Sequence, residues 1–553
     1  MNFESLRLVK IESHRLFVIG LLAVLALFLA SAGSARAQGV NPQTARVLQS
    51  ASDSIQAGRF EAAEKILRAH LSKSPRDERA KVMLGVALDQ QTRFLEAEKI
   101  YREILSANPK SLSARANLGV LFAKTNRVPE AVEALEAVIK ADPAHQQANY
   151  NLAALYTTSK DYEQALPLLE KLCGVDARQK VPKTGDLTLL FSLTKTYAGL
   201  GRFEDAETIA DFLESKGPGD VRLLYSLALI LAESNMLEKA RDLFEKVDEK
   251  RPGNFDVLYN LGIAYYNLDQ LDKARTVLQK AVDINPGAPE VFYRLGLIAS
   301  AKKESEKALG LWLKAVQLKP DYSEASFLIA EELSENRLHN GATPYYEKAA
   351  ALAPENLLYQ IRLAVNYIRL QQYAKAREVV IRELEARPDH LNLTFLRGFL
   401  ARAEGIYDES ITAFEKADKL SPDNADVLAN LGFLAFQRGE IEKAEKILRR
   451  TLELDPDNFT ALYDLGRLLV REKRVNEALP ILLRGTEIGK NDPGIFYQLF
   501  IAYSRLKQKA KADTAFAEFK RLEEALKPSA GSATSVETNR NLPKLPADPD
   551  KEN

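Results

Sequence analysis

The sequence predicts an all-α protein, a solenoid of about fourteen helix-turn-helix repeats, and three periodic signals carry that reading. Prolines fall at 75, 109 and 143, then at 218, 252, 286, 320, 354, 388, 422 and 456, always 34 residues apart within a run. Leu-Gly or Leu-Ala pairs recur in phase with them, as Leu84-Gly85, Leu118-Gly119, Leu152-Ala153, Leu227-Ala228, Leu261-Gly262, Leu295-Gly296, Leu363-Ala364, Leu431-Gly432 and Leu465-Gly466. A third phase is held by alanine, from Ala63, Ala97 and Ala131 through to Ala478 and Ala512, with Ser410 as one exception. A fixed period of this length is the mark of a repeat architecture and precedes any reading of local motifs.

Each position has a physical reason. With the phased proline counted as position 32, the small residues stand at 8 and 20, where two antiparallel helices must cross closely. Apolar residues at 4, 7, 11, 17, 24 and 27 lie three, four or seven apart and give each helix one buried stripe. A Gly, Asn or Asp near position 15 ends the first helix, as at Gly58, Gly201, Gly405 and Gly439. Proline at 32 stops the second helix, because its predecessor is pushed out of the α region. No single repeat can bury its stripe alone, so neighbours must stack.

This pattern resembles the tetratricopeptide-repeat (TPR) family over about Thr44 to Leu526. The resemblance implies a right-handed superhelix whose first helices line a concave groove, with positions 2, 5, 6, 9, 12 and 13 facing inward. Three departures bear on local packing: Thr194 at position 8, Arg397 at position 7, and Lys490 where the thirteenth repeat should end in proline.

The chain has 553 residues, 46% of them hydrophobic and 27% charged, with 76 basic against 76 acidic residues. That composition fits a folded core, and the balance excludes the basic surface a nucleic acid would need. The single cysteine, Cys173, can form neither an intramolecular disulfide nor a zinc cage, and reads as a small buried apolar residue. The five histidines, at 14, 70, 145, 339 and 390, have no metal-ligand spacing. No cofactor or catalytic motif is present, so the chain reads as no enzyme.

Residues 1–37 differ from the rest. Arg7, Lys10 and Arg15 precede the apolar run Leu16–Ala30, and Ala35-Arg36-Ala37 fits a signal-peptidase site before Gln38. The run up to Ala35 is alternatively long enough to stay as a signal anchor, and only then is the membrane a partner. Either reading places the remainder outside the cytoplasm, periplasmic or envelope-associated in a bacterium. Removal of 1–37 leaves 72 basic against 74 acidic residues.

Between Pro143 and Pro218 the period slips by seven residues. The slip falls in 174–186, rich in Gly, Pro and charge, and reads as a loop tolerated on one edge of the array, or as a hinge. It separates an N-terminal block, 38–173, from a C-terminal block, 187–526. Residues 527–553 lack apolar content and read as a disordered tail.

Binding is the function this architecture offers, to an extended peptide or a partner protein, with a role in glycan assembly or export as the alternative. At position 5 stand Tyr150, Phe191, Tyr225, Tyr259, Tyr293 and Phe327, followed after gaps by Phe395, Tyr463 and Tyr497. Such a ladder suits an extended peptide. At position 6 stand Asn117, Asn151, Asn260 and Asn430, whose amides both donate to and accept from a peptide backbone. The carboxylate clamp of TPR co-chaperones is not matched, since Glu290 stands where a base is needed. Arg369, Arg402, Arg467, Arg471 and Arg505 gather on groove positions of the C-terminal repeats, suggesting a basic, aromatic pocket for an acidic segment.

Overall fold

The structure is a computed structural model that describes residues 42–175 and 181–525 together with Leu545. Both residues 1–37, read above as a signal segment, and nearly all of the tail from 527 therefore lie outside the described residues. Among those described, 28 α-helices follow one another from Pro42–Gln56 to Lys509–Ala525, with no strand. They pair into fourteen antiparallel hairpins in the expected register. No described helix is long and apolar enough to cross a membrane.

The hairpin closes where the small residues stand. A Cβ added at Gly85 would lie 2.5 Å from the ring of Tyr101, and at Gly296 2.3 Å from the indole of Trp312. Each of these large side chains is at position 24 of its own repeat, so position 8 faces 24 as well as 20. The 8–20 approach shows directly in the repeat that departs from alanine: buried Ser410 donates its hydroxyl to the carbonyl of Gly398 at 2.8 Å. Thr194 takes the position-8 site by folding its own hydroxyl onto the carbonyl of Leu190, 2.9 Å away. Arg397, in place of leucine, turns to solvent and binds Glu409 at 3.0 Å, which Arg377 also holds at 3.0 Å.

Both ends of the first helix are sealed by local chemistry. At position 34 the side chains of Asp77, Ser111, Asp186, Asp220, Asn254, Asn356, Asn424, Asn458 and Asp492 accept from the first-turn amides. Such caps are worth about 1 kcal/mol each. His145 and His390 do the same through ring Nδ1, which gives two of the scattered histidines a structural task. At position 15 every repeat adopts the left-handed conformation, whether the residue is Gly58, Asn126, Thr92 or Lys303. Thr92 shows why: the amides of Thr92 and Arg93 donate to Asp89 and Leu88 at 3.0 Å each, closing a Schellman turn.

Neighbouring repeats are tied by two further ladders. A tyrosine at position 11 donates to a glutamate of the preceding repeat, as Tyr156 to Glu136 and Tyr367 to Glu347, both at 2.6 Å. An arginine at position 16 bridges back in the same way: Arg93 to Glu64 at 2.7 Å, Arg127 to Glu98 at 2.9 Å, Arg474 to Glu445 at 2.7 Å.

The chain divides between Pro286 and Gly287 into two compact halves, each of seven repeats. The 174–186 insertion lies inside the first half. Its ends are pinned together, because the amides of Lys183 and Thr184 both donate to the carbonyl of Cys173, at 2.9 and 3.3 Å. Asp186 then caps the next helix; residues 176–180 lie outside those described.

Two outcomes follow. Replacing Thr92, a β-branched residue at φ +60°, by glycine should stabilise the fold by about 1 kcal/mol, read as a raised denaturant midpoint. A fall would mean that the threonine side chain contributes more than its strain costs. Cys173 is buried, and burial, with Asp186 adding a smaller push, raises its thiol to about 12. Iodoacetamide at pH 8 should therefore leave it unmodified in the folded chain and label it on unfolding, because only the thiolate reacts.

Candidate functional site

The most distinctive charge arrangement lies on the first helices of repeats 11 to 13, Leu391–Ala403, Ala425–Gln437 and Phe459–Arg471. Position 9 contributes Phe399, Phe433 and Arg467, position 12 contributes Arg402 and Phe436, and position 13 contributes Arg471. All three helices meet through ring and guanidinium contacts. Arg402 lies over Phe399 at 4.9 Å and reaches across to Phe433 at 5.2 Å. From the other side Arg467 lies over Phe436 at 4.6 Å, Tyr463 at 5.6 Å and Phe433 at 5.9 Å. Arg471 stands 5.4 Å from Phe436.

Phe433 is thus shared by two guanidinium groups from different repeats. Two like charges hold this geometry because the ring faces are electron-rich and because one carboxylate sits between them. Asp464, buried at position 6, is 3.1 Å from Arg467 and raises the pKa of Arg402 electrostatically. Burial among the rings acts more strongly and pushes the Arg402 guanidinium below its ordinary range. Three guanidinium groups stand against two carboxylates, the buried Asp464 and Glu472 at 4.0 Å from Arg471, and leave a surplus of one positive charge. Stacking uses their flat faces; Arg471, with 59% of its side chain exposed, keeps its guanidinium within reach of a carboxylate acceptor, whereas the Nη2 of Arg467 is buried beside Asp464. The Nε of Arg467 makes no hydrogen bond among the described residues.

The expected basic, aromatic grouping therefore exists for Arg402, Arg467, Arg471 and Tyr463, but Arg505 and Tyr497 do not join it. Arg505 donates instead to the carbonyl of Val470 near the end of a helix, which also accepts from the amide of Lys473 at 3.1 Å. Tyr497, 41% exposed, packs with Phe500 and Phe519 in the last repeat, at 6.1 and 5.2 Å.

The aromatic ladder at position 5 is directed more to packing than to a ligand. Tyr259, only 3% exposed, stacks on Phe255, and Phe395 meets Phe414 edge-on at 5.3 Å. Phe327 stacks on Tyr359 at 4.5 Å, and Tyr293 tilts against Tyr322 at 5.1 Å. Tyr225 meets Phe244 and accepts from the amide of Asn260 at 3.0 Å. Tyr150 and Phe191 are half-buried. The asparagines are similarly engaged: Asn117, Asn151, Asn260 and Asn430 each donate to the carbonyl four residues earlier in their own helix, at 2.7–2.9 Å. Asn260 has thereby committed both amide protons.

Phe399, Phe433, Phe436 and Asp464 escaped the sequence reading although they stand on groove positions 9, 12 and 6. Their signal was available in the same register that exposed the arginines. Among the described residues no group of three metal-ligating side chains assembles.

Tetratricopeptide-repeat models match the chain in seven segments, at 54–118, 231–300 and 401–458, and at 113–182, 193–255, 361–425 and 430–493. The chain belongs to the tetratricopeptide-repeat family. Its array is accordingly a protein-interaction scaffold. Similar solved structures include the APC/C hetero-tetramer Cut9–Hcn1, at 16% identity over 82% of this chain and 95% of that one, with a TM-score of 0.35. A tetratricopeptide-repeat protein from Parabacteroides merdae is 20% identical over 46% and 97%, with a TM-score of 0.33. Naa15/Naa10 bound to HypK-THB is 15% identical over 87% and 94%, with a TM-score of 0.30. These likenesses concern the fold alone. No curated protein sequence matches the chain.

A buried guanidinium whose nearest carboxylate is shared contributes little to stability, and an apolar residue of similar length can replace it without loss. Arg402→Met should leave the thermal midpoint unchanged or raise stability by about 1 kcal/mol. A loss well beyond that amount would show Arg402 to be a structural keystone rather than a residue held for binding.

Proposed function

We propose that this chain is an exported scaffold that holds an extended acidic segment of a partner protein across the first helices of repeats 11 to 13. The observation that carries this reading is the cluster of Arg402, Arg467 and Arg471 on the shared rings of Phe433 and Phe436. At position 16, Arg93, Arg127 and Arg474 are matched by glutamates of the preceding repeat, whereas here Arg402 and Arg467 share the buried Asp464 and Arg471 stands 4.0 Å from Glu472. A bound carboxylate would complete that balance, and the rings would hold the apolar side chains between acidic ones.

Export is supported by the basic start, apolar run and Ala35-Arg36-Ala37 of the N-terminal segment. Fractionation of cells expressing the tagged chain should place it outside the cytoplasm, with Gln38 as the mature N-terminus if the segment is cleaved.

The binding role is tested with a fluorescein-labelled peptide of alternating Asp/Glu and Leu. Arg467→Gln/Arg471→Gln should weaken its binding about tenfold, corresponding to roughly 1.4 kcal/mol. Raising the salt from 50 to 300 mM should weaken binding to the unsubstituted chain more than to the variant. Equal affinity for both chains would remove the site, and retention of polysaccharide without any peptide binding would favour the glycan role.

A further inference from the structure

One apolar side chain packed against the second half belongs to no repeat. Leu545 lies half-buried against the apolar cluster that runs from Ala330 to Leu434, whose outer members include Phe327, Leu431 and Phe433. Phe433 is also the ring beneath Arg402 and Arg467. Leu545 therefore packs against the same apolar cluster as Phe433, although the last helix ends at Ala525. The intervening chain of about 20 residues spans up to roughly 65 Å when extended, ample for a return to earlier repeats.

The residues that follow have the matching chemistry. Pro546-Ala547-Asp548-Pro549-Asp550-Lys551-Glu552 carries three carboxylates against one lysine. Asp548 is three residues beyond Leu545, within about 10 Å along an extended chain. Prolines at 543, 546 and 549 restrict backbone freedom, which lowers the entropy lost when an extended segment binds.

We propose that the C-terminal segment around Leu545 is an intramolecular ligand of this face, with Leu545 as its apolar anchor and Asp548, Asp550 and Glu552 directed to the guanidinium groups of Arg402, Arg467 and Arg471. The proposal rests on the acidic-segment reading of that cluster and adds regulation to it. A partner must displace the tail, so its apparent affinity is reduced by the fraction of chains in which the tail is seated. A tethered competitor has an effective concentration in the millimolar range, enough to suppress weak ligands and admit strong ones.

The test compares the full-length chain with its full-length Leu545→Asp variant. Leu545 stands outside every helix, so the substitution leaves the repeats in place. The probe is a fluorescein-labelled peptide with the sequence of residues 541–553, NLPKLPADPDKEN. It should bind the variant at least about tenfold more tightly than the unsubstituted chain, because the variant's own tail no longer competes. A second probe is a scrambled peptide of identical composition. If both peptides bind both chains equally, the cluster binds acidic segments but the tail is not its occupant, and the proposal falls alone. If neither peptide binds either chain, the acidic-segment reading falls with it. A concentration-dependent dimer that Leu545→Asp abolishes would place the tail on a second copy and overturn the intramolecular assignment.

Discussion

The structure depends on how closely the two helices of one repeat can cross. That distance is set at position 8, where a Cβ added at Gly466 would lie 2.3 Å from Leu482. With the helices drawn together, the position-24 side chain is buried against the opposite backbone instead of against solvent. Trp312, Tyr101, Leu135 and Phe414 are all placed in this way, and all are almost fully buried. A rigid hairpin then presents one apolar edge to the next repeat, and stacking follows because that edge has no other cover. Where a larger residue enters at position 8, Thr194 folds its hydroxyl onto its own helix, and in the last repeat Phe500 meets the position-24 ring of Phe516 at 4.8 Å.

This constraint made the fold legible from the sequence. A crossing that favours small residues leaves the same letters in the same phase through most of the fourteen repeats, and proline and the position-15 turn punctuate them. The features that were not legible obey a different logic. The cap at position 34 is filled by Asp, Asn, Ser or His, any of which supplies an acceptor, so no single letter repeats. The left-handed turn at position 15 is imposed by the two flanking helices, and residues as unsuited as Thr92 and Lys473 submit to it. The Tyr–Glu and Arg–Glu ladders connect residues of different repeats, which a reading confined to one repeat does not bring together.

The site was legible in part for the same reason. Tyr and Asn at positions 5 and 6 look like a binding surface when counted along the sequence. In three dimensions Tyr259, Asn260 and Tyr225 are engaged with one another or with the helix backbone. Groove register alone does not separate side chains that line a groove from those that build its wall. The arginines differ by degree of burial: Arg402 and Arg467 sink into the rings, while Arg471 at position 13, 59% exposed, keeps its polar head at the surface. Arg505 shows the limit of that argument, since the carbonyl of Val470 at a nearby helix end engages it.

The zero net charge of the chain conceals this distribution. Charges meet in pairs within and between repeats: against the upward push of burial, hydrogen bonds from Arg68, Gln91 and Arg93 hold Glu64 below its ordinary carboxylate range, and Arg474 does the same to Glu445. Exposed pairs of this kind add little stability, but they cancel charge locally and leave most of the array electrostatically quiet. Against that background even a small surplus directs a charged partner, because little else competes for it within a Debye length. A quasi-linear array also confines the consequences of such a site, since each repeat touches only its neighbours. Repeats 11 to 13 can therefore carry three arginines on shared rings without asking the rest of the array to compensate, and under the proposed acidic-segment role a change of partner would require new side chains at positions 9, 12 and 13 while the hairpins beneath them stayed as they are.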